Sequence, residues 1–346
     1  MKAKGLVVLK PGQPLQPFEF ERRELRANDV AIKIAYSGVC HSDIHQSREE
    51  WGSAIFPMVP GHEIAGTVTA IGSTVSKFKV GDLIGVGVFI DSCRSCENCL
   101  NGLGQYCLNG MTATYNSLER DGVTIANGGY CDIFVVDQDY AVHIPANLPL
   151  HAVAPLLCAG ITLYSPLRKW GTKPGMKVGI MGLGGLGHMG VKFAHAMGAE
   201  VTVFSHSPSK EKDALNMGAD HFVATNDISI LEKHHKQFDL ILNAVSADLD
   251  INAYLKLLKV DATLVIVGIP GAPYKVDAGV MLDGRRNLAG SMIGGIPELQ
   301  EMLNFCGEHS IVSDVEVISA DYINTAYERT VASDVKYRFV IDASTI

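Results

Sequence analysis

The sequence predicts an α/β protein of two lobes: a β-rich, barrel-like lobe and a doubly wound parallel sheet wrapped by helices. Three observations carry this. Up to about residue 150, short alternating apolar runs are separated by clusters of Gly, Pro, Asn and Asp. From Lys177 onward, apolar runs alternate instead with helical segments, the pattern of a parallel sheet. Between the first such run and its helix stands a glycine-rich turn, Gly182-Leu-Gly184-Gly185-Leu186-Gly187.

In the first lobe the runs are VAIKIAYSGVC (Val30 to Cys40), EIAGTVTAIG (Glu63 to Gly72) and KVGDLIGVGVF (Lys79 to Phe89). A loop over residues 91–108 interrupts them with Cys93, Cys96, Cys99 and Cys107. Four thiolates so close can enclose one tetrahedral Zn²⁺ with no open position, which makes a structural site. A disulfide framework is the rival. Gaps of two residues suit it poorly, and nothing else in the chain suggests secretion.

The pattern changes near Pro155. KVGIMG, HMGVKFAHAMG, EVTVFS, PSKEKDALNMG, FDLILNAV and ATLVIVG then alternate strand and helix, and Met-Gly-Ala at Met197 and Met217 places a glycine where each helix stops. After Gly290 come two helices, IPELQEMLNFCGEH and YINTAYERTV, and a last strand, YRFVIDA, assigned back to the first lobe. The expected domains are 1–153, 154–290 and a return segment, 291–346.

A length of 346 residues fits two domains, and 47% hydrophobic with 19% charged residues suffices for sizeable cores. A net charge of −8 gives a nucleic-acid or anionic-membrane partner no electrostatic support, so neither is expected. The first residues hold too short an apolar run for an export signal, and no stretch reaches the roughly 18 residues that cross a bilayer. Eight cysteines without an export signal point to a reducing cytoplasm.

The glycine turn has the dinucleotide-binding pattern. Its first glycine allows the tight turn, its second lets the backbone approach a pyrophosphate, and its third lets helix and strand pack closely. A plain strand-to-helix turn is the bland alternative. NAD sites place an acid at the end of the next strand. This chain has Ser205-His206-Ser207 and then Lys210, while Glu200 comes too early. Hydroxyls and an ammonium suit a 2′-phosphate, so NADP(H) is expected. A solvated loop capped by Ser207 is the alternative.

Cys40, Cys131, Cys158 and Cys306 remain outside the loop. Cys40 and His62 close two strands of the first lobe, and Cys158 begins the crossing into the second. Two thiolates and one imidazole leave a fourth zinc position for substrate. A lone cysteine is more often core, and Cys131 and Cys306 are read so. Trp51, Ile55, Phe56 and Met58 could line an apolar pocket for aryl or aliphatic substrates, or could be a packed loop.

GVCHSDIHQ, FPMVPGHEIAG, the four-cysteine loop, GGYCDIFVVDQDY, PLLCAGITLYSPL, GLGGLGHMG, GSMIGG and YRFVIDA together resemble the zinc-containing medium-chain alcohol dehydrogenases, in their cinnamyl alcohol dehydrogenase-like branch of NADP-dependent bacterial aldehyde reductases. The resemblance runs nearly end to end. It implies a GroES-like catalytic domain with an inserted Rossmann domain, a homodimer, two Zn²⁺ per chain and NADP(H). Cys40, His62 and Cys158 would be the ligands of the catalytic zinc, with Glu63 behind it and able to exchange onto it. His41, Thr162, Val267, Ser291 and Ile293 would face the cofactor, Ser205, His206, Ser207 and Lys210 would meet its 2′-phosphate, and Arg338 would approach its phosphates. His206 stands where relatives often have serine, and Cys131 where a small residue is commoner.

The implied reaction moves hydride between nicotinamide and an alcohol or aldehyde carbon, with zinc polarising the oxygen. Ser42 would pass the proton, through the nicotinamide ribose, to His45. A turn cap and a surface histidine are the bland readings of these two. The alternatives in function are an NAD-dependent polyol or secondary-alcohol dehydrogenase and a zinc-free quinone oxidoreductase-like protein. The first is disfavoured by the Ser205–Lys210 segment, the second by the joint presence of Cys40, His62 and Cys158.

Overall fold

The computed structural model describes the whole chain, Met1–Ile346. It divides into two compact units, Met1–Ile161 with Gly294–Ile346, and Thr162–Ile293. The first division falls after Ile161 rather than after residue 153 because the change of pattern near Pro155 marks a run of helical turns. These end in the helix Ala159–Lys169, which carries the chain from one unit into the other.

The first unit is built on a seven-stranded sheet centred on Asp29–Gly38. That strand is buried along most of its ten positions and is long enough to pair twice on one side: Ile133–Asp137 along its first half and Arg338–Asp342 along its second. On the other side it pairs antiparallel with Ile64–Ile71, in the register Ser37↔Ile64. The return segment thus does supply a strand to this lobe, together with the helices Ile296–His309 and Ile323–Val331. KVGDLIGVGVF is two strands, Leu83–Val86 and Phe89–Asp91. The chain breaks at Gly87, where any Cβ would stand 2.8 Å from the Leu157 carbonyl oxygen.

The second unit is a six-stranded parallel sheet in the spatial order His221–Ala224, Glu200–Ser205, Lys177–Met181, Phe238–Asn243, Leu258–Ile266, Asn287–Gly290. The first strand in sequence lies in the middle and the chain winds outward to each side, the doubly wound order. Both Met-Gly-Ala segments end helices as expected. Gly198 and Gly218 have φ of +82° and +105°, and the amides of Ala199 and Ala219 reach back to the carbonyls of Ala194 and Ala214 at 3.1 Å.

No single helix is long and apolar enough to cross a membrane.

Candidate metal centres and cofactor site

Cys40 follows the strand Asp29–Gly38, but His62 and Glu63 precede the strand Ile64–Ile71 rather than closing one. Antiparallel pairing brings the end of the first strand to the start of the second, and the Gly38 amide donates to the Glu63 carbonyl at 2.9 Å. Cys158 joins them from the turn between Ala154–Leu157 and the helix Ala159–Lys169. The ligand atoms of Cys40, His62, Glu63 and Cys158 all lie within 4.8 Å of one another, and all four residues are buried.

The electrostatics of this cluster favour a cation. A hydrogen bond from Cys158 holds the Cys40 thiol well below the ordinary thiol range, with His62 and Arg338 assisting against burial, and the same bond pushes Cys158 up. Burial pushes the Glu63 carboxyl up to about 7 against the pull of Arg338. Glu63 Oε1 accepts from Arg338 Nη2, while Oε2 has no partner and lies so near Gly38 that no Cβ fits there. A buried carboxylate oxygen without a donor is what a metal position would satisfy. Burial disfavours the charged His62 ring, but Asp43 and Cys40 outweigh it and raise the imidazole well above its usual value.

Asp43 is the functional residue the sequence reading missed. It is wholly buried, and its Oδ1 meets His62 Nδ1 at 3.0 Å. That leaves Nε2 available to a metal, a pairing found behind most metal-bound histidines. The signal lay in the helix His41–Ser47, whose buried residues are Asp43, Ile44 and Ser47. Asp43 and Ser47 stand four positions apart and so share the inward face, but in sequence an acid there reads as a solvated one.

Cys40 leads into the helix His41–Ser47, which sets Ser42 and His45 one turn apart. Ser42 Oγ lies 3.6 Å from Cys40 Sγ. His45 bonds Glu50 through Nδ1 and stacks on Trp51 with ring centroids 4.7 Å apart. The His41 ring lies 5.9 Å from His45. Ile55 is half-buried, with its amide on Asn116 Oδ1 at 2.7 Å. Phe56 packs on the core around Leu6 and Val39, and Met58 is fully buried, so for these two the packed-loop alternative describes the placement. Arg338, expected near cofactor phosphates, is buried, with Nε and Nη2 on the Val39 carbonyl and Nη2 on Glu63.

The four sulfurs of Cys93, Cys96, Cys99 and Cys107 form a second cluster within 4.8 Å. Tetrahedral zinc with Zn–S near 2.3 Å sets sulfurs roughly 3.8 Å apart. The sulfurs of Cys93 and Cys99 are 3.9 Å apart, so the donor set fits one ion and not a disulfide. Backbone amides point at the sulfurs: Cys93 N to Cys107 at 3.3 Å, Cys96 N to Cys93 at 3.3 Å and Leu108 N to Cys96 at 3.5 Å. Amides at Ser95 and Cys96 hold Cys93 down to about 5, whereas burial pushes Cys99 up to about 11. Cys131 and Cys306 are core. Cys131 meets Arg22 Nη2 at 3.0 Å, and Cys306 contacts Met302 at 3.7 Å.

In the second unit, parallel register aligns Met181 with Phe204 and Asn243, Asn243 with Ile266, and Ile266 with Gly290. Gly182, Ser205, Val267 and Ser291 therefore stand at one edge, at the carboxyl ends of the strands where open α/β sheets bind ligands. Gly182 has φ +85°. Around Gly184 nothing lies within 4 Å of a hypothetical Cβ, room for a pyrophosphate against the loop that also holds Gly185 and Leu186. A Cβ on Gly187 would strike the Gly182 carbonyl, as close helix–strand packing requires. Lys210 Nζ donates to the Leu183 carbonyl at 2.8 Å, which brings its ammonium from the Ser205 edge to the glycine turn. Ser207 N bonds Ser205 Oγ, and Ser207 Oγ meets His206 Nε2, each at 3.3 Å. Glu200 pairs with Lys177 and His221 at the far end of its strand. Thr162 is buried in its helix, and Ile293 is buried with φ +43°.

Residues 26–146 match the alcohol dehydrogenase GroES-like domain, and residues 185–308 match the zinc-binding dehydrogenase family. The chain is 56% identical over 335 residues to NADP-dependent alcohol dehydrogenase C 1 of Mycolicibacterium smegmatis, covering 96% of each. It is 52% identical over 348 residues to aldehyde reductase YahK of Escherichia coli, covering 100% of this chain and 99% of the relative. Among solved structures, the cinnamyl alcohol dehydrogenase SbCAD4 from Sorghum bicolor superposes with a TM-score of 0.96 at 44% identity, covering 99% of this chain and 98% of that one.

Proposed function

The chain belongs to the zinc-binding, GroES-like alcohol dehydrogenases, and from that membership we infer that it interconverts primary alcohols and aldehydes with NADP(H), working chiefly as an aldehyde reductase. The observation that carries this reading is the buried cluster of Cys40, His62 and Cys158 with Glu63 beside them. Two thiolates and one imidazole would leave a fourth zinc position for substrate when Glu63 is off the metal.

When bound, zinc supplies Lewis acidity and the nicotinamide supplies or takes the hydride. The protein holds and orients. Cys40, His62 and Cys158 would carry the catalytic ion, Asp43 fixes the His62 tautomer, and Glu63 stands beside them with one unpaired oxygen. The four-cysteine loop would hold a second ion that shapes its lobe. Ser42, beside Cys40, is the hydroxyl proposed to exchange a proton with the substrate oxygen. His45, its Nδ1 on Glu50, is proposed to pass that proton to solvent. Gly182–Gly187 would cradle the pyrophosphate, with Thr162, Val267, Ser291 and Ile293 toward the nicotinamide. Ser205, Ser207 and Lys210 would hold the 2′-phosphate, with His206 beside them.

Trp51 and Ile55 are proposed to meet aromatic or medium-chain aliphatic substrates. A cytoplasmic homodimer completes the reading.

The test is a panel of aldehydes and alcohols, each assayed with NADPH and NADH. Higher kcat/KM with NADPH is expected, and Ser205→Asp should weaken NADPH binding by charge repulsion while admitting NADH. Equal or better turnover of NADH by the wild type would refute the cofactor assignment.

A further inference from the structure

The Gly128–Gly129–Tyr130 segment has no part in the chemistry above, yet it is laced onto the residues that lead into His62. Gly128 N donates to the Val59 carbonyl at 2.7 Å, Gly129 N to Gly61 at 2.8 Å and Tyr130 N to Pro60 at 2.9 Å. Leu6 N holds the Tyr130 carbonyl from the other side at 2.8 Å. The fit leaves no room for side chains. A Cβ on Gly128 would stand 2.2 Å from the Pro60 oxygen, one on Gly129 2.3 Å from Ile64 Cγ1, and one on Gly61 2.5 Å from Tyr130 Cδ1.

This frame sends a fully buried phenol inward, where Tyr130 OH donates to Asp43 Oδ2 at 3.0 Å. Asp43 also accepts from Cys40 N at 2.9 Å, Gly61 N at 3.2 Å and His62 Nδ1 at 3.0 Å. Two of these donors belong to metal-ligand residues themselves. Tyr115 stacks on the His62 ring at 5.8 Å.

We propose that Tyr130 is a positioning residue of the Cys40–His62–Cys158 site: from a frame that cannot shift, its hydroxyl holds the Asp43 carboxylate in the orientation that keeps His62 Nε2 turned toward the metal. The inference rests on the reading of that cluster as a zinc site. Partners behind a ligating histidine are worth about 10–100-fold in metal affinity. Tyr130 stands one hydrogen bond further out, so the lower end, about tenfold, is expected.

Tyr130→Phe removes one oxygen and keeps the ring. In the full-length, zinc-loaded chain, a chelator should draw zinc from the three-ligand site about tenfold more readily in Tyr130→Phe than in wild type. The four-cysteine site, an internal reference, should release zinc as before, at an unchanged melting temperature. In an Asp43→Asn background the same change should add nothing, because the acceptor it serves has lost its charge. Wild-type release from both sites, or a loss shared by both, overturns the proposal. A second measurement keeps hydroxyl and fold: 3-fluorotyrosine placed at position 130 alone. Its ¹⁹F signal should move when zinc leaves the three-ligand site and stay when zinc leaves the four-cysteine site, since coupling is reciprocal. An unmoved signal also overturns it. Wild-type chain that holds only one zinc, in the four-cysteine site, would instead refute the zinc reading itself.

Discussion

Replacing Ser42 by alanine removes a hydroxyl beside Cys40 and leaves the helix His41–Ser47 and the metal ligands in place. Turnover should fall by roughly 10²–10⁴, the range for general acid–base assistance. His45→Gln should cost less, because water can take the last proton. Initial rates across pH, with zinc content and cofactor affinity measured alongside, check both; wild-type turnover of Ser42→Ala with zinc intact would make Ser42 a turn residue. Arg338→Leu tests the buried pair with Glu63, both members of which are nearly inaccessible. Stranding one buried charge costs about 3–5 kcal/mol. The folded pKa of Glu63, about 7, lies above its ordinary 4.5, so the folded state binds the proton more tightly. The stability this contributes is complete below pH 4.5 and is lost as pH rises through 7. Without Arg338 that pKa rises further, so urea denaturation should show a larger deficit at about pH 8 than at about pH 5. Ser42, His45 and Glu63 could be named from motifs. Asp43 and the Glu63–Arg338 contact could not, because in sequence each acid is indistinguishable from a solvated one until burial is known.

Among the elements, the four-cysteine loop is the one whose purpose shows in its spacing. Its only α-helical piece is the short Glu97–Leu100, with no buried residue. In the zinc reading, sulfur–metal bonds would supply the order that packing of this helix does not. Cys99→Ala should remove one zinc per chain and lower stability by about 4 kcal/mol or more, the exceptional range reached when a metal is lost. Denaturation with parallel metal analysis measures it, and an unchanged midpoint would show that the loop is held by other means. The glycine turn was equally legible, since strand, turn and helix are contiguous and each glycine answers a local need. The helix Ala159–Lys169 was not. Its sequence, AGITLYSPLRK, carries Pro166 and β-branched residues, so propensity argues against it and packing decides.

At the scale of the molecule, the two metal clusters should be separable. Cys158→Ala should lose one zinc and all turnover while the melting temperature stays near that of wild type, since only the open site is touched. Unchanged activity, or collapse of the fold, would refute the division of roles. The residues alone determined the two-lobe plan, the closed cysteine site, the glycine turn and the preference for hydroxyls and an ammonium at Ser205–Lys210. All of these arise from neighbours in sequence, where spacing and chemistry act directly. Only the tertiary structure decided that the strand ends carrying Cys40 and His62 meet edge to edge, and that Cys158 arrives there from a distant turn. It alone set Asp43 and Tyr130 behind His62 and turned Arg338 to Glu63. Sheet register and burial make those contacts, and both are properties of chain segments far apart in sequence.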